Sequence, residues 1–456
     1  MSYDLVIRNG RVVTPEQGVV RGDVGVTGET IGAVAGPKTL SGEETIDATG
    51  RYVLPGAIDP HTHYGLYQDY AKDHETETRS DLVGGVTTIG NIFRRGDPYT
   101  EIMDDYLAIS EANSYHDYFY TLGLLSPTHV EEIPEVIEAF GITTFKWYVM
   151  YKYVAREKFG LDRDLLDDVG DRMIRTLAAQ DVPTTLGYHS ENPEITAGLE
   201  AEARASGETG FEAYAARFPG YAEAQSMVAG ANLASHHGYD DSFYAVHISS
   251  RRTADDLAML QEAGYGSMGE TCPQYLTLTA EECDARMKVT PPMRSAEDRA
   301  RLWARVADGT IDHIGTDHVC NQLSEKLGDD IWDTLLAFPG SSTMLPLMLS
   351  EGYHEGRISL ERVVEVTSTN NAKAWNLYPK KGTIRVGSDA DLVVVDLEET
   401  KTVTPELLQG GADFSVYEGR EVTGWPTHTV VRGRVAFEEG TVVGEKGFGT
   451  HVDRPV

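Results

Sequence analysis

The stretch GVTTIGNIF (residues 85–93) begins an alternation of two kinds of segment, continued by DPYTEIMDDYLAISEAN (97–113), FYTLGLL (119–125), VEEIPEVIEAF (130–140) and ITTFKWYVM (142–150). The first, third and fifth segments are short apolar runs typical of buried strands, whereas the other two have the spacing of amphipathic helices. Strands that alternate with helices form parallel sheets, because each helix leads the chain back to begin the next strand. The alternation therefore predicts an α/β fold, a (β/α)8 barrel of the TIM type.

The two ends of the chain have a different pattern of apolar and polar residues from this middle region. Short alternating runs separated by turn residues fill residues 1–52, and similar runs follow in residues 383–456, with turns at Asn-Gly, Gly-Ser-Asp and Arg-Gly. Two strand-rich ends predict one smaller β-sandwich built from both termini. The predicted domains are thus 1–52 and 383–456 for the sandwich and 53–382 for the barrel.

The composition is that of a soluble globular protein, with 41% apolar and 24% charged residues in 456. The sequence contains no apolar run of 18 residues and no signal peptide at its start, so we expect neither a membrane protein nor an exported one. The three cysteines form no CxxC pair, which argues against a disulfide framework or a zinc knuckle. These features together predict a cytoplasmic location.

The charge is strongly acidic, since 72 Asp and Glu face 39 Lys and Arg for a formal net charge of −33. Such a surface repels nucleic acid and anionic membranes, so neither is an expected partner. Two explanations of the acidity stay open. One is adaptation to high salt, which the composition favours, and the other is an ordinary solvated acidic surface.

Metal-ligating residue types recur at the ends of the predicted strands. In IDPHTHYG (58–65) two histidines stand two residues apart, so at strand spacing both imidazoles point to one side. A lone HxH is weak evidence, but four further candidates each follow an apolar strand, where barrel enzymes place their catalytic groups. The full set is His61, His63, Lys146, His189, His247 and Asp317.

The chemistry explains this combination of residue types. Two divalent ions can share one hydroxide and polarise a carbonyl, and imidazoles suit such ions. A lysine beside two cations is implausible as an ammonium, but as a carbamate formed with carbon dioxide it becomes a bridging anion. Asp317 can bind one ion and also take the proton from the attacking hydroxide.

The motifs HTH, FK, GYHSEN, VHIS and GTDH, in this order, resemble the binuclear branch of the amidohydrolase superfamily. ETCPQYL (270–276), MKVTPPMRS (287–295) and NLYPKKGTIRVGSDADLVVVD (376–396) are similar to hydantoinases and dihydropyrimidinases, with allantoinases and L-hydantoinases as close relatives. The resemblance implies a homotetramer and two zinc ions, or manganese, cobalt or iron. By motif position, His61 and His63 would bind the buried ion, Lys146 would bridge, His189 and His247 would bind the exposed ion, and Asp317 would complete the site.

The resemblance also assigns substrate contacts. Tyr151 lies five residues after Lys146, where dihydropyrimidinase-like enzymes have a tyrosine that hydrogen-bonds the substrate carbonyl and its oxyanion. Thr290 occupies the position of a serine whose backbone grips the ring. Gly65 stands where dihydroorotases carry an arginine, which disfavours that activity. LLAFPGSSTMLP (335–346) lacks the asparagine that dihydropyrimidinases use for imide recognition, so the ring substrate and its D or L preference stay open.

We therefore predict a small cyclic amide as substrate, a hydantoin or a dihydropyrimidine opened to an N-carbamoyl amino acid. The alternatives are an allantoinase-type ureide hydrolase and a non-catalytic cytosolic scaffold that has lost its metals. Arg94 and Arg95, in the atypical stretch GNIFRRGDPY, are either a solvated loop pair, which the sequence favours, or contacts to an acidic substituent. His318 and Cys320, beside Asp317, are either supporting groups or ordinary packing.

Overall fold

The structure is a computed structural model that describes residues 2–454. Its strands are β1 Tyr3–Thr14, β2 Gly18–Thr27, β3 Thr30–Ala35, β4 Gly42–Asp47, β5 Tyr52–Pro55, β6 Ala57–Thr62, β7 Val86–Phe93, β8 Asp117–Gly123, β9 Thr144–Tyr148, β10 Thr185–His189, β11 Phe243–Ala245, β12 Met268–Thr271, β13 His313–Ile314, β14 Leu392–Thr402, β15 Glu421–Val431, β16 Arg434–Glu438 and β17 Thr441–Val442.

The helices lie mainly between the strands of the middle region. They are α1 Tyr70–Val83, α2 Tyr99–Asn113, α3 Pro127–Glu131, α4 Ile133–Phe140, α5 Ala155–Phe159, α6 Asp167–Ala178, α7 Pro193–Ser206, α8 Phe211–Ala216, α9 Gly220–His236, α10 Arg251–Glu262, α11 Pro273–Thr277, α12 Ala296–Asp308, α13 Leu323–Lys326, α14 Met344–Leu347, α15 Leu360–Val364, α16 Asn370–Ala374 and α17 Pro405–Leu408. Within residues 2–454, no helix is both long and apolar enough to cross a membrane.

Strands β6 to β13 neighbour one another in chain order and form a nearly closed, eight-stranded parallel barrel. Every residue of β6 to β11 is buried, as expected when side chains fill the barrel on one face and helices cover the other. The predicted barrel is confirmed. Because all strands run in the same direction, their carboxyl ends share one edge of the sheet.

The two ends of the chain build a second sheet of nine strands, in the order β17-β16-β15-β14-β5-β1-β2-β3, with β4 beside β1. Strand β5 joins the two halves, since its Val53 pairs with Val12 of β1 on one side and with Val394 of β14 on the other. All three valines are buried in one apolar core. The prediction of a sheet domain made from both termini is confirmed.

The described chain divides into two compact units. Of the described residues, one unit comprises 2–90, 109–118 and 339–452 and contains the nine-stranded sheet, whereas the other comprises 91–108, 119–338 and 453–454 and contains strands β9 to β13. The boundaries predicted from the sequence, at 52/53 and 382/383, stay predictions.

A buried ion cluster holds distant segments of the first unit together. The Lys381 ammonium lies 2.7 Å from a carboxylate oxygen of Asp117, 3.0 Å from one of Asp389 and 2.6 Å from one of Asp391. Arg432 adds a second cation, 3.1 Å from Asp117, and its backbone N–H donates to Asp391. The two cations offset much of the cost of burying three carboxylates together.

We expect Lys381→Met to lower the free energy of unfolding by roughly 3–5 kcal/mol, because removing the ammonium leaves the aspartates as uncompensated buried charges. Chemical denaturation followed by circular dichroism measures the change. The matched control is Lys380→Met, since Lys380 is the exposed neighbour. Equal stability of the two variants would show that the cluster does not support the fold.

Candidate active site

The first pair of predicted ligands lies at the end of strand β6. His61 is the fifth residue of this strand and His63 directly follows it, with ring centroids 5.3 Å apart and ring planes at 70°. Both side chains are buried. The backbone N–H of His61 donates to the carboxylate of Asp59 at 3.1 Å, so the strand end is fixed by a short local contact.

The other four candidates come from four further barrel strands. Lys146 lies in β9, His189 ends β10, His247 follows β11 and Asp317 follows β13, and all four side chains are buried. Nε2 of His247 and Nδ1 of His189 are 2.8 Å apart, with the rings nearly perpendicular. The structure therefore brings the two imidazoles into direct contact. That they are ligands of one ion stays a prediction.

Two of these residues have a strained backbone. His247 has φ of 39° and Asp317 has φ of 56°, in the left-handed region that residues with a Cβ rarely adopt. Each stands just beyond the end of its strand, where the chain turns toward the next helix or loop. Such strain persists where the surrounding fold imposes it, and it concentrates at functional sites.

Burial sets the charge states of the nitrogen donors. The pKa of His247 lies well below its usual value because burial disfavours the imidazolium, and the neighbouring His189 adds to the effect. Burial also lowers the pKa of Lys146 to about 8, against the opposing attraction of Asp317. Both groups are thus shifted toward the neutral forms, which have a free electron pair.

Tyr151 ends a short 3-10 turn that follows β9. Its buried ring stacks on Tyr148, with centroids 5.1 Å apart, and meets the edge of Phe159. The guanidinium carbon of Arg94 lies 5.8 Å from the centre of the Tyr151 ring, whereas the neighbouring Arg95 packs over Phe93. The two adjacent arginines therefore have different surroundings.

Thr290 lies in a buried loop, where its hydroxyl is hydrogen-bonded to the phenol of Tyr214. The Lys326 ammonium donates to the backbone carbonyls of Lys288 and Ala337, so it ties the Thr290 loop to the segment in which the sequence lacks the expected asparagine. Sequence reasoning missed this contribution of Lys326, for which the sequence contains no local signal. His318 and Cys320 are buried beside Asp317, and their role as supporting groups stays a prediction.

Comparison with known proteins places this arrangement in a family. A model of the amidohydrolase family matches residues 233–436. The chain is 32% identical to the D-hydantoinase of Rhizobium radiobacter, covering 97% of this chain and 96% of the relative, and 32% identical to the L-hydantoinase of Paenarthrobacter aurescens, covering 99% and 98%. The crystal structure of dihydropyrimidinase from Brevibacillus agri NCHU1002 superposes with a TM-score of 0.90 at 29% identity over 98% of each chain.

The chain belongs to the hydantoinase and dihydropyrimidinase family of amidohydrolases. The predicted family is confirmed, and with it the enzyme class, a hydrolase of C–N bonds in cyclic amides. The relatives bear D, L and dihydropyrimidinase names at nearly equal identity, so they do not decide the ring or its handedness.

Glu270, which lies in the motif ETCPQYL, is a buried residue that contacts the candidate ligand His247. Its buried carboxylate accepts one hydrogen bond from the backbone N–H of His247 and another from the hydroxyl of Tyr244, each 3.0 Å long. The first bond holds the strained residue in place. The position of Glu270 near the end of β12 is the feature of the sequence that could have identified this residue.

We expect Glu270→Ala to lower the free energy of unfolding by about 1–3 kcal/mol, because the buried N–H of His247 loses its acceptor. Denaturant unfolding measures the loss. Glu270→Gln is the matched control: its amide oxygen can still accept from His247, so this variant should regain most of the stability. A glutamine variant as unstable as the alanine variant would contradict the positioning role.

Proposed function

We propose that the chain hydrolyses the ring amide or imide of a hydantoin or dihydropyrimidine to an N-carbamoyl amino acid, with two divalent metal ions. The observation that carries the proposal is the buried contact between His189 and His247, in the same strand-end region as Lys146 and Asp317, in a chain of this family. The names of the relatives above favour this activity over the allantoinase and scaffold alternatives.

The donor set fits divalent ions such as zinc. His61, His63 and Asp317 are all buried and are of residue types that ligate divalent ions, and burial lowers the pKa of His247 well below its usual value, which favours the neutral imidazole that ligation requires. We assign His61 and His63 to one ion and His189 and His247 to the other, with Asp317 completing the set. When bound, the ions supply Lewis acidity and make a water molecule reactive at neutral pH.

Lys146 would bridge the ions as a carbamate. Its neutral amine adds to the carbon of carbon dioxide and releases one proton, so that an uncharged amine becomes an anion with two oxygen donors. Burial favours this reaction, because the ammonium form is already disfavoured at this position. The product has the charge and oxygen donors that two adjacent cations require.

Asp317 and Tyr151 would carry the proton and the developing charge. Asp317 takes a proton from the attacking water and delivers it to the ring nitrogen as the C–N bond breaks. The Tyr151 phenol donates to the carbonyl oxygen as it becomes an oxyanion. Thr290 would hold the ring through its backbone, with its hydroxyl already bound by Tyr214.

We expect the purified protein to contain two metal ions per chain and to open dihydrouracil, hydantoin or 5-substituted hydantoins, and Lys146→Ala to lose both properties. Short carboxylic acids should partly restore the variant by replacing the carbamate. Elemental analysis and a ring-opening assay, in low and in multimolar salt, measure these properties.

Three results would redirect this proposal. A metal-replete, active Lys146→Ala enzyme would contradict the carbamate, turnover of allantoin alone would move the chain to ureides, and metal-free inactive protein would support a scaffold. Light scattering in the same buffers tests the homotetramer, which we propose from the family alone.

We expect Tyr151→Phe to lower kcat by roughly 100-fold or more while binding of metal is kept, because one oxyanion donor is lost. Steady-state kinetics on the best ring substrate measure the change. Tyr153→Phe is the control, since Tyr153 is exposed on the same loop. A near-normal rate for Tyr151→Phe would return this residue to a packing role on Tyr148.

A further inference from the structure

Arg94 is a cation without a carboxylate partner. It directly follows strand β7 and is partly buried, and its guanidinium carbon lies 5.3 Å from the ring centre of Tyr148 and 5.8 Å from that of Tyr151. Within residues 2–454, no Asp or Glu oxygen comes within 4.0 Å of its nitrogens. Arg94 is also hydrogen-bonded to the Tyr148 side chain and attracted electrostatically by Asp317. These contacts only partly offset its removal from water, because none of them is a close ion pair.

Other arginines of the same compact unit are satisfied differently. Arg294 lies 3.2 Å from the carboxylate of Glu223, Arg217 is paired with Glu200, and Arg95 donates to the hydroxyl of Tyr106 at 3.3 Å. Arg94 therefore differs from Arg294 and Arg217, each of which is paired with a carboxylate. The sequence favoured a solvated pair for Arg94 and Arg95, but the structure separates the two side chains.

The short distance between Arg94 and Tyr151 indicates which part of a bound substrate Arg94 would contact. In the proposed function Tyr151 contacts the ring carbonyl, so a cation beside that phenol lies within reach of a group attached to the ring. A guanidinium has five N–H donors in a planar fork that matches a carboxylate with two parallel hydrogen bonds. Its charge is permanent, whereas a lysine amine in a similar position could lose its proton.

We infer that Arg94 selects a ring substrate whose substituent ends in a carboxylate. This inference rests on the proposed function and names its substrate class: a hydantoin or dihydropyrimidine with an acidic side chain. The partner anion arrives with the substrate, which explains why the protein supplies no carboxylate of its own. Binding then replaces the lost hydration of Arg94 with two charged hydrogen bonds.

The test compares two ligands that differ only in charge, 5-(carboxyethyl)hydantoin and its neutral carboxamide. For each we would measure kcat/KM and, by calorimetry, Kd, in the wild type, in Arg94→Met and in the control Arg95→Met. We expect the wild type to prefer the acid and Arg94→Met to lose roughly 10- to 100-fold of that preference. Arg95→Met should keep the wild-type ratio, because Arg95 packs away from Tyr151 on Phe93 and Tyr106.

The possible results distinguish a failure of this inference from a failure of the proposed function. If Arg94→Met weakens the acid and the amide equally, Arg94 stabilises the oxyanion and the inference is wrong while the proposed function stands. If the wild type opens neither of these rings but opens hydantoin or dihydrouracil, the inference is wrong while the proposed function stands. If it opens none of the four rings, the proposed function fails, and the calorimetric preference for the acid still decides what Arg94 binds. Equal affinity of the wild type for both ligands would overturn the inference.

Discussion

The shared direction of the barrel strands is the constraint on which the candidate site depends. Because β6 to β13 are parallel, the residues at their carboxyl ends come to one edge, although they are spread from His61 to Asp317 along the chain. The strands themselves are buried on both faces, which fixes their register. The candidate ligands are therefore placed at the ends of buried strands.

Features with a local cause could be predicted from the sequence. Apolar runs and helical spacing predicted the barrel, and residue type at the strand ends predicted the candidate ligands. The hydrogen bond from His247 to Glu270 could not be predicted, because it joins residues 23 positions apart through side-chain packing. The same applies to Arg94 and Arg95, which are identical in type and adjacent in sequence, yet Tyr151 packs near one and Phe93 near the other.

The cations discussed above have different surroundings in the two compact units. In the first, Lys381 and Arg432 lie against three buried aspartates, so each cation has a carboxylate partner within the protein. In the second, Arg94 contacts the rings of Tyr148 and Tyr151 and, among residues 2–454, has no carboxylate oxygen within 4.0 Å. A chain with a formal charge of −33 has no shortage of carboxylates, and this supports the inference that the partner of Arg94 comes with the substrate.

The left-handed backbone of His247 and Asp317 affects which substitutions a selection for stability would favour. Each strained residue costs of the order of 1–3 kcal/mol, which glycine at the same position would relieve. A laboratory selection for heat resistance alone would thus favour glycine at both positions and yield stable proteins that lack two of the proposed metal ligands. Selection for turnover therefore has to accompany selection for stability. At these two positions glycine would raise the free energy of unfolding, but it would remove the side chains on which the proposed activity depends.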